Sequence, residues 1–99
     1  MELHFTDAAL SDLRSIRAYT LHRWGEEQEL QYLEEMWCRF EEILAEPGRW
    51  RAREDLFPGC QLATQGKHVI LFRIDGGSLQ TARVLHSAMD FPRHFPDVS

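Results

Sequence analysis

Residues 68 to 86 read HVILFRIDGGSLQTARVLH, and this stretch constrains the fold most. Val69 to Phe72 is apolar and partly β-branched, the composition of a strand buried in a sheet. Asp75-Gly76-Gly77-Ser78 is a strong hairpin turn, because glycine reaches the positive φ angles that tight β-turns need. Leu79 to His86 returns as the partner strand. A buried hairpin requires further strands and something apolar to cover it. Cys60 to Gln65, turned by Gly66-Lys67, supplies one more strand, and Glu2 to Phe5 reads as another.

The cover comes from residues 7 to 46. Thr6 offers an N-cap hydroxyl, and Asp7 puts negative charge at the positive end of a helix dipole. Ala9, Leu10, Leu13, Ile16, Leu21 and Trp24 follow at helical spacing. Gly25 ends that helix and a second begins at once, with Leu30, Leu33, Trp37, Phe40 and Leu44 as its main stripe and Tyr32, Met36 and Ile43 to one side. Pro47-Gly48 stops it. Arg49 to Gly59 reads as a loop. Asp90 to Phe95 reads as a short irregular tail limited by Pro92 and Pro96, with Met89, Phe91 and Phe95 packing it onto the sheet. The expected fold is a single α+β domain over residues 1–99. A helical hairpin packs on one face of a four-stranded antiparallel sheet, made of an N-terminal strand and a three-stranded meander. Trp24, Leu33, Trp37, Phe40, Ile70 and Phe72 are the expected core.

A formal net charge of -5 argues against a general nucleic-acid binder, since phosphate contacts need clustered Lys and Arg. The charge is uneven, however. Glutamates crowd Glu26 to Glu46, whereas Arg49, Arg51 and Arg53 open a more basic second half, a distribution that fits a surface meeting two different things. No signal peptide is evident and no apolar run approaches the ~20 residues of a membrane span. Cys38 and Cys60 are the two cysteines, and a domain of this size does not need to join them, so two reduced thiols in a cytoplasmic protein are expected. The histidines lack ligand spacing and neither cysteine has a CxxC partner, so no metal and no cofactor is expected.

The closing segment RVLHSAMDFPRHF carries Arg83, His86, Asp90, Arg93 and His94. A nuclease would need a general base, a general acid and a cation converging on one phosphate. With an even-length turn at Asp75–Ser78, Ile74 pairs with Leu79, Arg73 with Gln80, and His86 lies across from Lys67. His86 is then roughly 20 Å along the strand from Arg73, at about 3.3 Å per residue. Arg83 and His86 are three residues apart and point to opposite faces. Dispersed cations suit a contact surface better than a catalytic centre. Asp90 and Arg93 read as a local ion pair.

In FTDAALSDLRSIRAYTLHRWG, ILAEPGRWRAREDLFPG, GKHVILFRID and RVLHSAMDFPRHF, the chain resembles the ParE branch of the RelE/ParE toxin superfamily, the plasmid-stabilisation proteins. It departs where extra residues, including Trp50, separate Gly48-Arg49 from the Pro-Gly loop, and where Gln61 stands at a position the family often gives to Arg. The resemblance implies the toxin of a type II toxin–antitoxin pair, associated with inhibition of DNA gyrase by direct binding and neutralised by a ParD-like antitoxin. The alternatives are a ribosome-dependent mRNA ribonuclease of RelE type, or a non-toxic member kept as an antitoxin partner. Arg73, Arg83, His86, Arg93 and His94 are the candidate target contacts. Tyr32, Met36 and Ile43 are the candidate antitoxin face, with Arg49, Arg51 and Arg53 attracting antitoxin acids. No sequence-specific DNA contact and no membrane contact is expected of this chain.

Overall fold

The computed structural model describes residues 1–95, so Pro96 lies outside the described part. The elements run β1 (Glu2–Phe5), α1 (Asp7–Trp24), α2 (Glu26–Ala45), β2 (Arg51–Ala52), β3 (Gln61–Gln65), β4 (His68–Asp75), β5 (Ser78–His86) and a 3-10 turn (Phe91–His94). The sheet has five strands in the order β1-β5-β4-β3-β2, not the expected four. It is mixed, because β1 runs parallel to β5 in the register Leu3 to Leu79. The Arg49–Gly59 stretch is not loop throughout. Arg51 and Ala52 pair with Leu62 and Gln61 as a two-residue edge strand.

The local signals act as their chemistry dictates. Thr6 accepts a hydrogen bond from the Ala9 amide at 3.0 Å and caps α1. Gly25 takes φ 92, ends α1 and opens α2 without an intervening loop. Asp75 pairs with Ser78 across Gly76-Gly77. Gly76 alone of the two has positive φ, the pattern of a type II′ hairpin turn.

Ile74 pairs with Leu79 and Arg73 with Gln80, as the turn requires, but the ladder then slips. Phe72 pairs with Thr81 and Leu71 with Arg83, which leaves Ala82 as a β-bulge. Beyond it His86 lies across from His68 rather than the expected Lys67. A bulge reverses which side chains of a strand face which side. Leu79 and Val84, an odd number of residues apart, therefore share the helix-side core, while Leu85 goes to the other face.

Two clusters result. Ile16, Met36, Phe40, Ile43, Ala63, Ile70, Phe72, Leu79 and Val84 lie between helices and sheet. On the opposite face Leu56, Cys60, Val69, Leu71 and Leu85 are covered by Phe57, Phe91 and Phe95. The 50s loop and the C-terminal turn thus do for that face what the helices do for the first. Met89 takes no part and is exposed. Cys60 is buried there, and Cys38 is exposed on α2.

The second helix is rotated from the expected orientation. Met36, Phe40 and Ile43 face inward, whereas Leu30 and Trp37 are 59% and 54% exposed. Trp24 is also outward, at 61%, and Leu33 is half-buried. Of the expected core, Phe40, Ile70 and Phe72 are buried. The cause lies in polar residues of the inward arc that find partners on α1 and β3. Glu29 sits seven residues before Met36 on the inward arc and is held by Arg17 of α1 at 3.2 Å. Tyr32 points its hydroxyl at the Gln65 carbonyl, 2.9 Å away. The inward arc is therefore 29-32-36-40-43, and Phe40 is the residue it shares with the more apolar stripe beside it.

Candidate functional sites on the helical hairpin and the sheet

The face expected to meet an antitoxin is not a free surface. Met36 is 3% exposed and Ile43 is fully buried, and Tyr32 is half-buried. The exposed apolar residues are their neighbours. Leu30 and Trp37 lie two turns apart on one side of α2. Leu10, Leu21 and Trp24 form a comparable exposed stripe on α1. Arg17, whose partner is Glu29 on α2, falls between Leu10 and Leu21 on that stripe, so the α1 stripe borders the seam between the helices. Pattern reading found these residues and assigned them to the wrong side, because a wide apolar face looks the same from within the sequence whichever half is buried.

The basic loop is largely engaged. Arg53 makes two 2.9 Å hydrogen bonds to Asp55 and lies 5.8 Å from the Phe91 ring centroid. Its pKa is held up, first by that hydrogen bonding. Arg49 is 4.9 Å from the Trp50 ring centroid, and Arg39 of α2 lies 5.6 Å from it. Arg51 is exposed on the edge strand. Strand β2 pairs only with Gln61 and Leu62, which leaves the outer edge of Ala63 to Gln65 without a strand neighbour among the described residues.

The five candidate target contacts fall into three places. Arg73 bonds Gln80 at 3.0 Å near the hairpin turn. His86 accepts a hydrogen bond from the Ala88 amide at 3.1 Å, and its ring stands edge-on to His68 with centroids 5.6 Å apart. Their strand positions are separated by five residues of β4, roughly 16 Å. Arg83 and His94 do come together, at 3.4 Å, and Arg93 lies 3.6 Å from Asp90 on the exposed tail.

Arg83 is no free cation. Its guanidinium forks onto Asp12 of α1 at 2.8 and 2.7 Å, and Asp12 also accepts the Val84 amide at 2.9 Å. Strand β1 ends at Phe5, so among the described residues β5 has no strand neighbour on that side beyond Thr81. Thr6 donates its hydroxyl to the Ala82 carbonyl at 2.6 Å, and Asp12 takes the next amide. The start of α1 thus completes the edge that β1 leaves open. The hydrogen bonding to Asp12 raises the Arg83 pKa above its ordinary value. Among the described residues no group of three or more His, Cys, Asp or Glu is placed to hold a metal ion, and no helix is long and apolar enough to cross a membrane.

Residues 3–91 match the family described as ParE toxin of type II toxin-antitoxin system, parDE. The chain belongs to the ParE toxin family. It is 35% identical over 88 residues to Toxin ParE1 of Mycobacterium tuberculosis, covering 88% of this chain and 90% of that protein. It is likewise 35% identical over 86 residues to Toxin ParE1 of Caulobacter vibrioides, covering 87% and 88%. In fold it is similar to a chain of the chromosomal ParDE system from P. aeruginosa, with a TM-score of 0.74, 22% identity, and 87% and 95% of the two chains covered. A chain of the RelBE2 toxin–antitoxin complex from M. tuberculosis shares the architecture at a TM-score of 0.58 and 24% identity, with 86% and 95% covered. The ParE family fold here is the α+β arrangement of a helical hairpin on a mixed sheet.

Proposed function

We propose that this ParE-family chain is a toxin that acts by direct contact with DNA gyrase and is neutralised by a ParD-like antitoxin. Contact rather than catalysis is supported by the way the cations are committed. Arg73, Arg83 and His86 serve three separate hydrogen-bonding groups, and no pair of them converges where a phosphate would sit. The exposed Arg93, with His94 beside Arg83, is the part of the closing segment most available to a target. Purified gyrase should lose supercoiling activity as this protein is added, and the cognate antitoxin should restore it. Undiminished supercoiling, together with cleavage of translated mRNA, would overturn the gyrase reading in favour of the ribonuclease.

The antitoxin surface is the outer seam of the hairpin, carried by the exposure of Trp37, Leu30 and Trp24. An amphipathic helix laid along a groove and a strand added to an open edge are both common ways to bind a peptide segment, and this chain offers an apolar seam and the free edge of β3. Exposed Glu26, Glu27, Glu34 and Glu41 share α2 with Leu30 and Trp37, so the bound helix should carry Lys or Arg beside its apolar residues. Trp37→Glu should weaken antitoxin binding by about 2 kcal/mol or more, the loss expected when an aromatic anchor is removed. Its circular dichroism should match the parent, since the side chain is exposed. Parental affinity in Trp37→Glu and Leu30→Glu alike would remove the seam from the interface.

A further inference from the structure

We propose that Tyr32, His68 and His86 form a proton-sensitive latch that holds α2 against the β3–β4 turn and loosens as the pH falls below neutrality. The three side chains come from three elements that the antitoxin and gyrase readings do not join. Tyr32 lies on α2, His68 opens β4, and His86 closes β5 directly across from it. The Tyr32 ring is seated on Gly66, where φ is +57 and an added Cβ would lie 3.0 Å from its Cε1 atom. Its hydroxyl donates to the Gln65 carbonyl at 2.9 Å and also meets Nδ1 of His68.

A phenol has one proton to give. With that proton on Gln65, His68 must donate from Nδ1 to the phenolic oxygen, which fixes its neutral form with an unprotonated Nε2. Burial, with Glu35 second, pushes the Tyr32 pKa up to about 12, so the phenol keeps its proton throughout the physiological range. His86 is also fixed. Its Nδ1 accepts the Ala88 amide, so in the neutral ring the proton sits on Nε2. The backbone around them is tied in as well, since Ser87 donates to the Lys67 carbonyl at 2.8 Å.

Among the described residues, few groups face His68. From α2 come Tyr32 and, behind it, Glu35; from β5 comes His86; from the turn comes Lys67, which is exposed. A second proton on His68 therefore places a positive charge in a half-buried site beside another imidazole. Burial first, and His86 second, hold the His68 pKa below its ordinary value. Opening the latch returns His68 to water, where it takes a proton near pH 6.5. The sign follows from linkage. The closed form is fully favoured above about pH 6.5. Below that value the closed form loses population as the pH falls, until the pH drops below the folded pKa of His68. What loosens is the contact between α2 and the open edge at Gln65, beside the groove lined by Gln31, Glu35, Arg39 and Gln65.

Amide hydrogen exchange on the full chain, corrected for the intrinsic effect of pH, tests the latch. Protection at Gln65 to His68 should fall on going from pH 7.5 to pH 5. His68→Gln should abolish that fall. His86→Gln should move its end point to higher pH and shrink it, because His86 no longer holds the His68 pKa down. Tyr32→Phe should leave the turn poorly protected at both pH values. Equal parental protection at the two pH values overturns the latch. So does a fall of parental size and midpoint in His68→Gln, or, if that variant does not fold, in His86→Gln. None of these readouts involves gyrase or antitoxin, so the latch and the proposed function fail separately.

Discussion

Phe72→Ala is expected to destabilise the protein by about 3–5 kcal/mol, as a large-to-small change at a fully buried aromatic does. Phe72 is 0% exposed at the centre of β4, between Gln61 on one side and Thr81 on the other, and belongs to the helix-side core. No neighbour can collapse into the space cheaply. The flanking strands are fixed by their ladders, and the bulge beside Phe72 already sets the register. Phe40→Ala should cost a similar amount. Its ring meets Phe5 edge-on with centroids 5.3 Å apart, so its loss also frees the strand that seals the sheet edge. Urea unfolding measures both, and a midpoint within error of the parent for either variant would contradict this core. Trp37→Ala provides the contrast. A side chain 54% exposed should change stability by less than about 1 kcal/mol.

That contrast also shows what the sequence made legible. Element order, both helix starts, the single-glycine junction and the Asp75–Ser78 turn follow from local chemistry, and all of them are present. The parallel placement of β1 and the two-residue β2 depend on long-range pairing, and neither leaves a periodic trace. The rotation of α2 was hidden for another reason. Both stripes of that helix are apolar, and the choice between them rests on polar atoms that find partners elsewhere, Glu29 on Arg17 and Tyr32 on Gln65 and His68. A pattern of hydrophobicity counts those atoms against burial. Among the candidate contacts, the wide separation of Arg73 and His86 was legible from the turn, although five residues of β4 part them rather than the expected six. The slip at Ala82, which brings His86 opposite His68, was not. One signal was overlooked. Asp12 lies three residues after Ala9 and four before Ile16, which puts a carboxylate on the buried stripe of α1. A charge in that position calls for a cation, and Arg83 supplies it.

Asp12→Ala is accordingly expected to cost about 2–4 kcal/mol. Removing one member of a buried pair costs about 3–5 kcal/mol, because the other charge is left uncompensated. The Asp12 side chain is 13% exposed and that of Arg83 22%, so water screens part of the loss and brings the expected cost about 1 kcal/mol below that range. The pair is not the whole effect. Asp12→Ala also strands the Val84 amide on an edge that β1 does not reach, and an unpaired buried donor costs about 1–3 kcal/mol by itself. The two losses overlap, because one carboxylate serves both groups. Asp12→Asn separates them. Its amide oxygen still accepts from Val84 while the charge is gone, so it should lose less than Asp12→Ala. Arg83→Ala removes the cation and leaves the carboxylate on the Val84 amide. If Arg83 acts chiefly inside the fold, Arg83→Ala should lower the urea midpoint clearly, whereas Arg93→Ala, on the exposed tail, should not. Equal stability in the parent, Asp12→Ala and Arg83→Ala would mean that the fork contributes nothing to folding. Arg83 would then return to the surface available to a target.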